Sequence, residues 1–208
     1  MAITTYAELQ TAVENWLART DLAARSPEWI ALFEAKVKRR LRVWRMEGRS
    51  TASTVANQAT LSLPGDFLEI RDIQLNTNPK VQLEYMTPSH IHRIWASTST
   101  GQPIAYTIQG SELSFAPTPD AVYTVEISYY TFTALATATN WLITHHPDAY
   151  LYGALQEAVP YIQDPDFSGA LMVWKQNYDD AMAAIMADDR RARFPRSGIT
   201  MQSGVMGV

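Results

Sequence analysis

The hydrophobic spacing of the first 50 residues predicts two helices. Thr5 and Glu8 form a Thr-x-x-Glu capping box, and the apolar residues around it have helical spacing: Tyr6, Leu9, Val13, Trp16 and Leu17. This helix should end near Thr20. Ser26 and Pro27 have the form of an N-cap with proline at the first helical position. The second helix should run to about Met46, along an apolar stripe of Trp29, Ile30, Phe33, Val37, Leu41 and Trp44.

From Thr51 the pattern changes to short alternating runs rich in β-branched residues, which is typical of strands. The predicted strands are residues 60–63, 67–75, 81–85, 104–109, 112–116 and 122–131. Between them, Thr87 and Pro88 should begin a short helix that reaches Trp95. Most aromatic residues of the chain lie on predicted apolar stripes, whereas Trp95 and Trp141 border loops.

Helical spacing returns after His146 and Pro147. Pro160 should kink or end that helix, and Asp164 with Pro165 should cap the last one. The last helix has an uninterrupted apolar face of Phe167, Leu171, Trp174, Tyr178, Met182 and Ile185. One side of it is therefore expected to be buried.

Together these segments predict an α+β fold, with a helical bundle formed by the N- and C-terminal helices and an inserted, mainly antiparallel β domain. The bundle should comprise residues 1–50 and 140–193, and the β domain residues 51–139. Residues 194–208 should form an extended tail, because three glycines and two serines among the last thirteen residues disfavour a helix. No apolar run approaches the roughly 20 residues of a membrane span, so neither membrane insertion nor secretion is expected.

Charge is unevenly distributed along the 208 residues. Residues 1–49 carry nine Lys/Arg and six Asp/Glu, residues 50–189 carry four and fifteen, and residues 190–208 carry four arginines and no acid. The net charge of −4 argues against nucleic-acid binding by bulk charge. Such blocks can orient one copy of a chain against another, or against a differently charged partner.

Catalytic and metal-binding signatures are missing from the sequence. It has no cysteine, no Gly-x-Ser-x-Gly, no phosphate loop and no dinucleotide fingerprint. His145 and His146 are adjacent and point in different directions, so a turn into a helix explains them better than a metal site. The acid pairs 164/166 and 188/189 lie at predicted helix ends, where capping or solvation explains them. We therefore expect no enzyme activity and no cofactor.

The second predicted helix carries six cations within ten residues: Lys36, Lys38, Arg39, Arg40, Arg42 and Arg45. At 100° per residue, four of them fall opposite the apolar stripe: Lys38, Arg39, Arg42 and Arg45. This basic face could contact a partner or DNA, or it could be a solvated surface. Arg40 instead projects within the stripe and should find a carboxylate or the end of the bundle.

The tail offers a second candidate site. Its apolar residues are spaced irregularly, which suits an extended peptide that inserts side chains into pockets, and its arginines could pair with acids on a receiving surface. The candidate contact residues are Phe194, Arg196, Ile199, Met201, Val205 and Met206.

The order of these segments resembles the phage adaptor protein family. The similar stretches include the Leu-Pro-Gly-Asp turn at 63–66, and they are residues 6–17, 34–42, 63–69, 110–117, 129–130, 140–142, 146–158 and 189–193. The resemblance covers about residues 5–193 and depends on the order of the motifs over the whole chain. It does not extend to the last fifteen residues.

The resemblance implies a structural virion protein made in the host bacterial cytoplasm. Members are head-to-tail connectors of tailed phages, especially short-tailed ones, and assemble as a ring, commonly dodecameric, beneath the portal. The implied partners are other copies of the chain, the portal protein, a tail tube or nozzle protein, and the packaged double-stranded DNA that passes through the channel. The resemblance carries over no catalytic residue, and we expect the tail to dock on the portal.

Two other functions remain open at the level of sequence. The first is a nucleic-acid-binding module that uses the basic face, which a salt-dependent affinity for duplex DNA would favour. The second is a hydrolase with paired carboxylates, for which no pair has a defensible spacing.

Overall fold

The fold is α+β, as predicted. A computed structural model of the chain describes residues 3–19, 21–95, 99–162 and 167–194. The helices are α1 (Tyr6–Leu17), α2 (Ser26–Arg40), α3 (Pro88–Ile94), α4 (Trp141–His145), α5 (Pro147–Ile162) and α6 (Phe167–Arg193). The chain divides into two compact units, residues 1–45 with 133–208, here the helical unit, and residues 46–132, here the β unit.

The described residues of the β unit form ten strands. They are β1 (Glu47–Ser53), β2 (Thr60–Ser62), β3 (Phe67–Leu75), β4 (Val81–Gln82), β5 (Glu84–Tyr85), β6 (Thr100–Gly101), β7 (Ala105–Gln109), β8 (Glu112–Ala116), β9 (Thr118–Pro119) and β10 (Thr124–Thr131). Two four-stranded sheets have the orders β1-β10-β3-β4 and β2-β8-β7-β5, and β6 pairs with β9. All pairs are antiparallel except β5 with β7 and β6 with β9.

Strand alternation builds the core of the β unit. Along β7 and β8, every second side chain points into one apolar cluster, and the intervening ones lie on the other face. The cluster comprises Ile73, Leu75, Leu83, Tyr106, Leu113, Phe115, Val125, Ile127 and Tyr129. A tight turn with Gly110 at φ 63° joins the two strands, a conformation that favours glycine.

The helical unit is organised around α5, which packs against α1, α2, α4 and α6. The predicted capping box of α1 is confirmed, because the Glu8 N–H donates to Thr5 Oγ1 at 3.2 Å and the Thr5 N–H donates to Glu8 Oε2 at 3.0 Å. The helix ends at Leu17, before the predicted end near residue 20, since Ala18 adopts a left-handed conformation.

The prediction that Ser26 caps α2 is wrong. Ser26 is the first residue of the helix, and its hydroxyl donates to the Ala23 carbonyl at 2.9 Å, so it bonds the preceding 3₁₀ turn, Ala23–Arg25. Pro27 does occupy the first turn of the helix, as predicted. Pro160 lies inside α5, which continues to Ile162. The predicted cap at Asp164 and Pro165 lies outside the described residues.

A buried hydrogen-bond network fastens the chain where it returns from the β unit. Glu34 Oε1 accepts from the Leu135 N–H at 2.7 Å and from the Tyr150 hydroxyl at 3.0 Å. The Asn140 amide donates to the Tyr150 oxygen at 2.6 Å and to the Thr133 carbonyl at 2.9 Å. Burial raises the pKa of Tyr150 well above its ordinary value, so the hydroxyl stays protonated and donates.

Tyr150→Phe should therefore destabilise the helical unit by about 1–3 kcal/mol, because it leaves buried polar groups of Glu34 and Asn140 short of a partner. Thermal unfolding of the variant measures this loss. Tyr152→Phe is the matched control, since it removes a hydroxyl from the same helix and retains the edge-to-face contact of the ring with Trp16. Equal melting temperatures for wild type and Tyr150→Phe would contradict the proposed role of the network.

Candidate assembly surface

The predicted basic face does not lie on one helix. The expectation that α2 reaches about Met46 is wrong, because α2 ends at Arg40 and Leu41 is extended, with φ −99° and ψ 132°. Leu41 and Val43 are only 0% and 1% exposed. Burial of alternate residues requires an extended chain, since a helix would place Val43 on a different face. Arg42 and Arg45 therefore lie beyond the helix, in residues 41–45, here the exit segment.

Arg42 closes the C-terminal end of α2. Its guanidinium donates to the Lys38 carbonyl at 2.8 Å and to the Leu41 carbonyl at 2.7 Å. The last carbonyls of a helix lack partners within the helix, and a cation there also complements the helix dipole. Arg42 is thus engaged within its own chain.

Arg45 ties the exit segment to two helices. One guanidinium nitrogen lies 3.1 Å from His145 Nε2 of α4, and another lies 3.4 Å from Asp188 Oδ2 of α6. The group also stacks over the Trp44 ring, 4.5 Å from its centroid. Burial lowers the pKa of the neighbouring His146, which favours its neutral form.

Asp189 fastens the end of α6 to the same segment. One of its carboxylate oxygens accepts from the Trp44 N–H at 2.7 Å, and both accept from Arg193 Nε, at 2.9 and 2.8 Å. A nitrogen of Arg193 also lies 3.4 Å from the Arg42 carbonyl. The exit segment and the end of α6 therefore form one connected structure. The sequence predicted a structural role for Asp188 and Asp189, and both take part in these contacts.

Four basic residues lie within α2 itself, and two of them contact other groups while two are exposed. Lys36 forms an ion pair with Glu157 of α5, and Lys38 is half-buried with contacts of its own. Arg39 and Arg40 are exposed at the end of the helix. Arg40 thus lies at the solvated end of the bundle, which is one of the two outcomes expected for it.

The last turns of α6 add Met186 and Arg190 to the predicted tail contact Phe194. Met186, Arg190 and Phe194, here the terminal stripe, follow one another at intervals of four residues and are all exposed, Phe194 by 77%. Arg191 beside them is exposed as well. The arginine block after residue 189 was the available signal in the sequence. The other predicted tail contacts lie outside the described residues: Arg196, Ile199, Met201, Val205 and Met206.

No cluster of three or more potential metal ligands occurs among residues 3–19, 21–95, 99–162 and 167–194. Within the same residues, no helix has the length and hydropathy needed to cross a membrane.

Exposed arginine and apolar side chains at the end of α6 are suited to contact with another protein. The family model of the SU10 adaptor protein matches residues 4–201, and the chain belongs to this family of phage head-to-tail adaptors. It is accordingly an adaptor and structural protein of the bacteriophage virion, and such families are not normally enzymes. No curated protein matches the sequence.

Proposed function

We propose that this adaptor assembles as a ring, docks on the portal, extends the DNA channel and gives a tail tube or nozzle protein its attachment platform. The SU10 adaptor family supports association with both portal and tail. A dodecamer is the copy number that the resemblance favours. Closure of a ring needs two different surfaces on each copy, which the opposed charge blocks of the sequence could supply.

The exposure of Phe194 is the observation that best supports portal docking. Arg193 is held by Asp189 at 2.8 Å, whereas the next side chain, Phe194, is 77% exposed. A large apolar side chain on the surface is suited to burial against a partner, and the flanking Arg190 and Arg191 can pair with acids there. We propose that the terminal stripe begins a contact which residues 195–208 continue.

Truncation after Arg193 tests portal docking. The truncated chain should fold with an unchanged melting temperature, because the Arg193 ion pair with Asp189 is retained. It should be lost from portal-containing particles during sedimentation. Val122→Ala is the matched control, since it removes another exposed apolar side chain, 68% exposed, from the β unit. Retention of the truncated chain at the wild-type level would refute tail docking.

Ring assembly is tested separately by mass measurement of the purified chain, alone and mixed with portal. We expect a discrete multimer at least in the presence of portal. A chain that stays monomeric in both samples would refute the ring.

Nucleic-acid binding is the second candidate function, and the exposed pair Arg39 and Arg40 favours it. Replacing both with Gln should leave the melting temperature unchanged while it weakens assembly or DNA retention. Arg42→Gln is the contrasting variant. It should destabilise the chain by about 1 kcal/mol through loss of the helix cap. If the double variant forms particles with wild-type yield and DNA content, Arg39 and Arg40 form only a solvated surface.

A further inference from the structure

A cavity of about 450 Å³ lies in the β unit between α3 and one face of the β7–β8 ladder. Tyr106 and Phe115 point to the core on the opposite face of these strands. The cavity floor is therefore formed by small and polar side chains, among them Thr107 and its cross-strand neighbour Ser114. Trp95, which follows α3, lines the cavity as well.

Thr107, at the floor of the cavity, has a side-chain hydroxyl without a hydrogen-bond partner among the described residues. The residue is 2% exposed, and its Oγ1 has no hydrogen-bond partner among the residues that the structure describes. Buried hydroxyl groups in folded proteins nearly always have a partner, because leaving one unbonded is costly. Since Thr107 lines the cavity, a molecule bound there can supply the partner.

The position of the cavity limits what can bind. The cavity lies over a face of the β7–β8 ladder, and the backbone N–H and C=O groups of these strands point along the sheet and not out of this face. Recognition must use side chains. The described lining residues with polar hydrogen-bonding side chains, apart from Trp95, are Thr107, Ser114, Gln109, Ser99, Thr118 and His92.

Charge limits the ligand further. No Lys, Arg, Asp or Glu of the described residues lines the cavity, and residues 46–132 carry eight acidic and four basic residues. Of the described lining residues, only His92 can carry a positive charge, and the net negative charge of the unit repels a phosphate or carboxylate ligand. The geometry therefore favours an uncharged ligand rich in hydrogen-bonding groups.

We propose that this cavity binds a neutral saccharide unit. The apolar C–H face of a sugar ring can pack on the flat indole of Trp95, and its hydroxyls can both donate to and accept from Thr107, Ser114 and Gln109. The cavity volume lies within the range of small-molecule sites. This property is separate from portal docking and goes beyond it.

The test is calorimetric titration of the full-length chain with glucose, galactose, N-acetylglucosamine, lactose and maltose. At least one sugar should bind with a millimolar dissociation constant. Thr107→Val should raise that constant about threefold to tenfold, which corresponds to one hydrogen bond. Its melting temperature should not fall, because the hydroxyl has no partner among the described residues to lose. Trp95→Ala should abolish binding, while Trp16→Ala, in the helical unit, should leave it unchanged.

Three results would overturn the proposal. One is the absence of heat from every sugar with the wild-type chain. Another is equal affinity for wild type and Thr107→Val. The third is binding of the neutral peptide analogue N-acetylglutamine methylamide, with loss on Thr107→Val, in the absence of sugar binding, which would identify a peptide site.

Discussion

Gly153→Ala should destabilise the helical unit by about 2–3 kcal/mol, because α2 and α5 approach too closely at this residue for a methyl group. A Cβ at 153 would collide with Cδ2, Cε2 and Cγ of the Phe33 ring, the last at 2.9 Å. The ring cannot move aside easily. It packs edge-to-face against Tyr150, with 5.2 Å between centroids, and against Tyr178, at 6.0 Å.

The same substitution at Gly169 is the control. Gly169 also lies in a helix, but no atom of the described residues comes within 4 Å of the position that an alanine methyl group would take there. Alanine should stabilise the chain at this position by about 0.5–1 kcal/mol, since glycine disfavours a helix. Chemical denaturation of both variants gives the two free energies of unfolding. If Gly153→Ala is as stable as the wild type or more stable, the close contact at Gly153 does not limit the residue at this position.

Trp174→Ala should lower the free energy of unfolding by about 3–5 kcal/mol, because it deletes a large buried aromatic side chain and leaves a cavity. Trp174 is 5% exposed on α6, as its place on the predicted apolar face requires. For a chain of this size the loss corresponds to a fall in melting temperature of roughly 10 °C.

Met172→Ala, on the same helix, is the control that separates the loss of a buried side chain from a change in helix propensity. Met172 is 75% exposed, so its truncation should change stability by less than about 0.5 kcal/mol. Calorimetric unfolding of both variants provides the comparison. A melting temperature of Trp174→Ala close to that of Met172→Ala would contradict the burial of this helix face.

Local patterns in the sequence were sufficient to predict most of the helices and strands. The bounds of β3 and β8 match the predictions for 67–75 and 112–116, because alternation and flanking turns mark both strands clearly. β1 was missed. Its sequence, Glu-Gly-Arg-Ser-Thr-Ala-Ser, has little apolar alternation because the strand lies at a sheet edge and is largely exposed, and only its pairing with β10 defines it.

The sequence predicted which types of residue form the candidate surface, but not which residues contact one another there. Basic residues 38–45 are evident in the sequence, and helical spacing continues through Trp44, so nothing local marks the end of α2 at Arg40. Arg45 contacts Asp188, 143 positions away, and the Trp44 N–H contacts Asp189. Contacts of such separation depend on how the helices pack, which hydrophobic periodicity does not specify.

The bond between Arg193 and Asp189 also bears on how this protein can evolve. Asp189 accepts from the Arg193 guanidinium and from the Trp44 N–H, so one carboxylate holds two segments of the helical unit. A mutation of Asp189 removes both bonds at once, whereas a mutation of Arg193 leaves the Trp44 bond in place. Over evolutionary time, Asp189 should therefore change more slowly than Arg193.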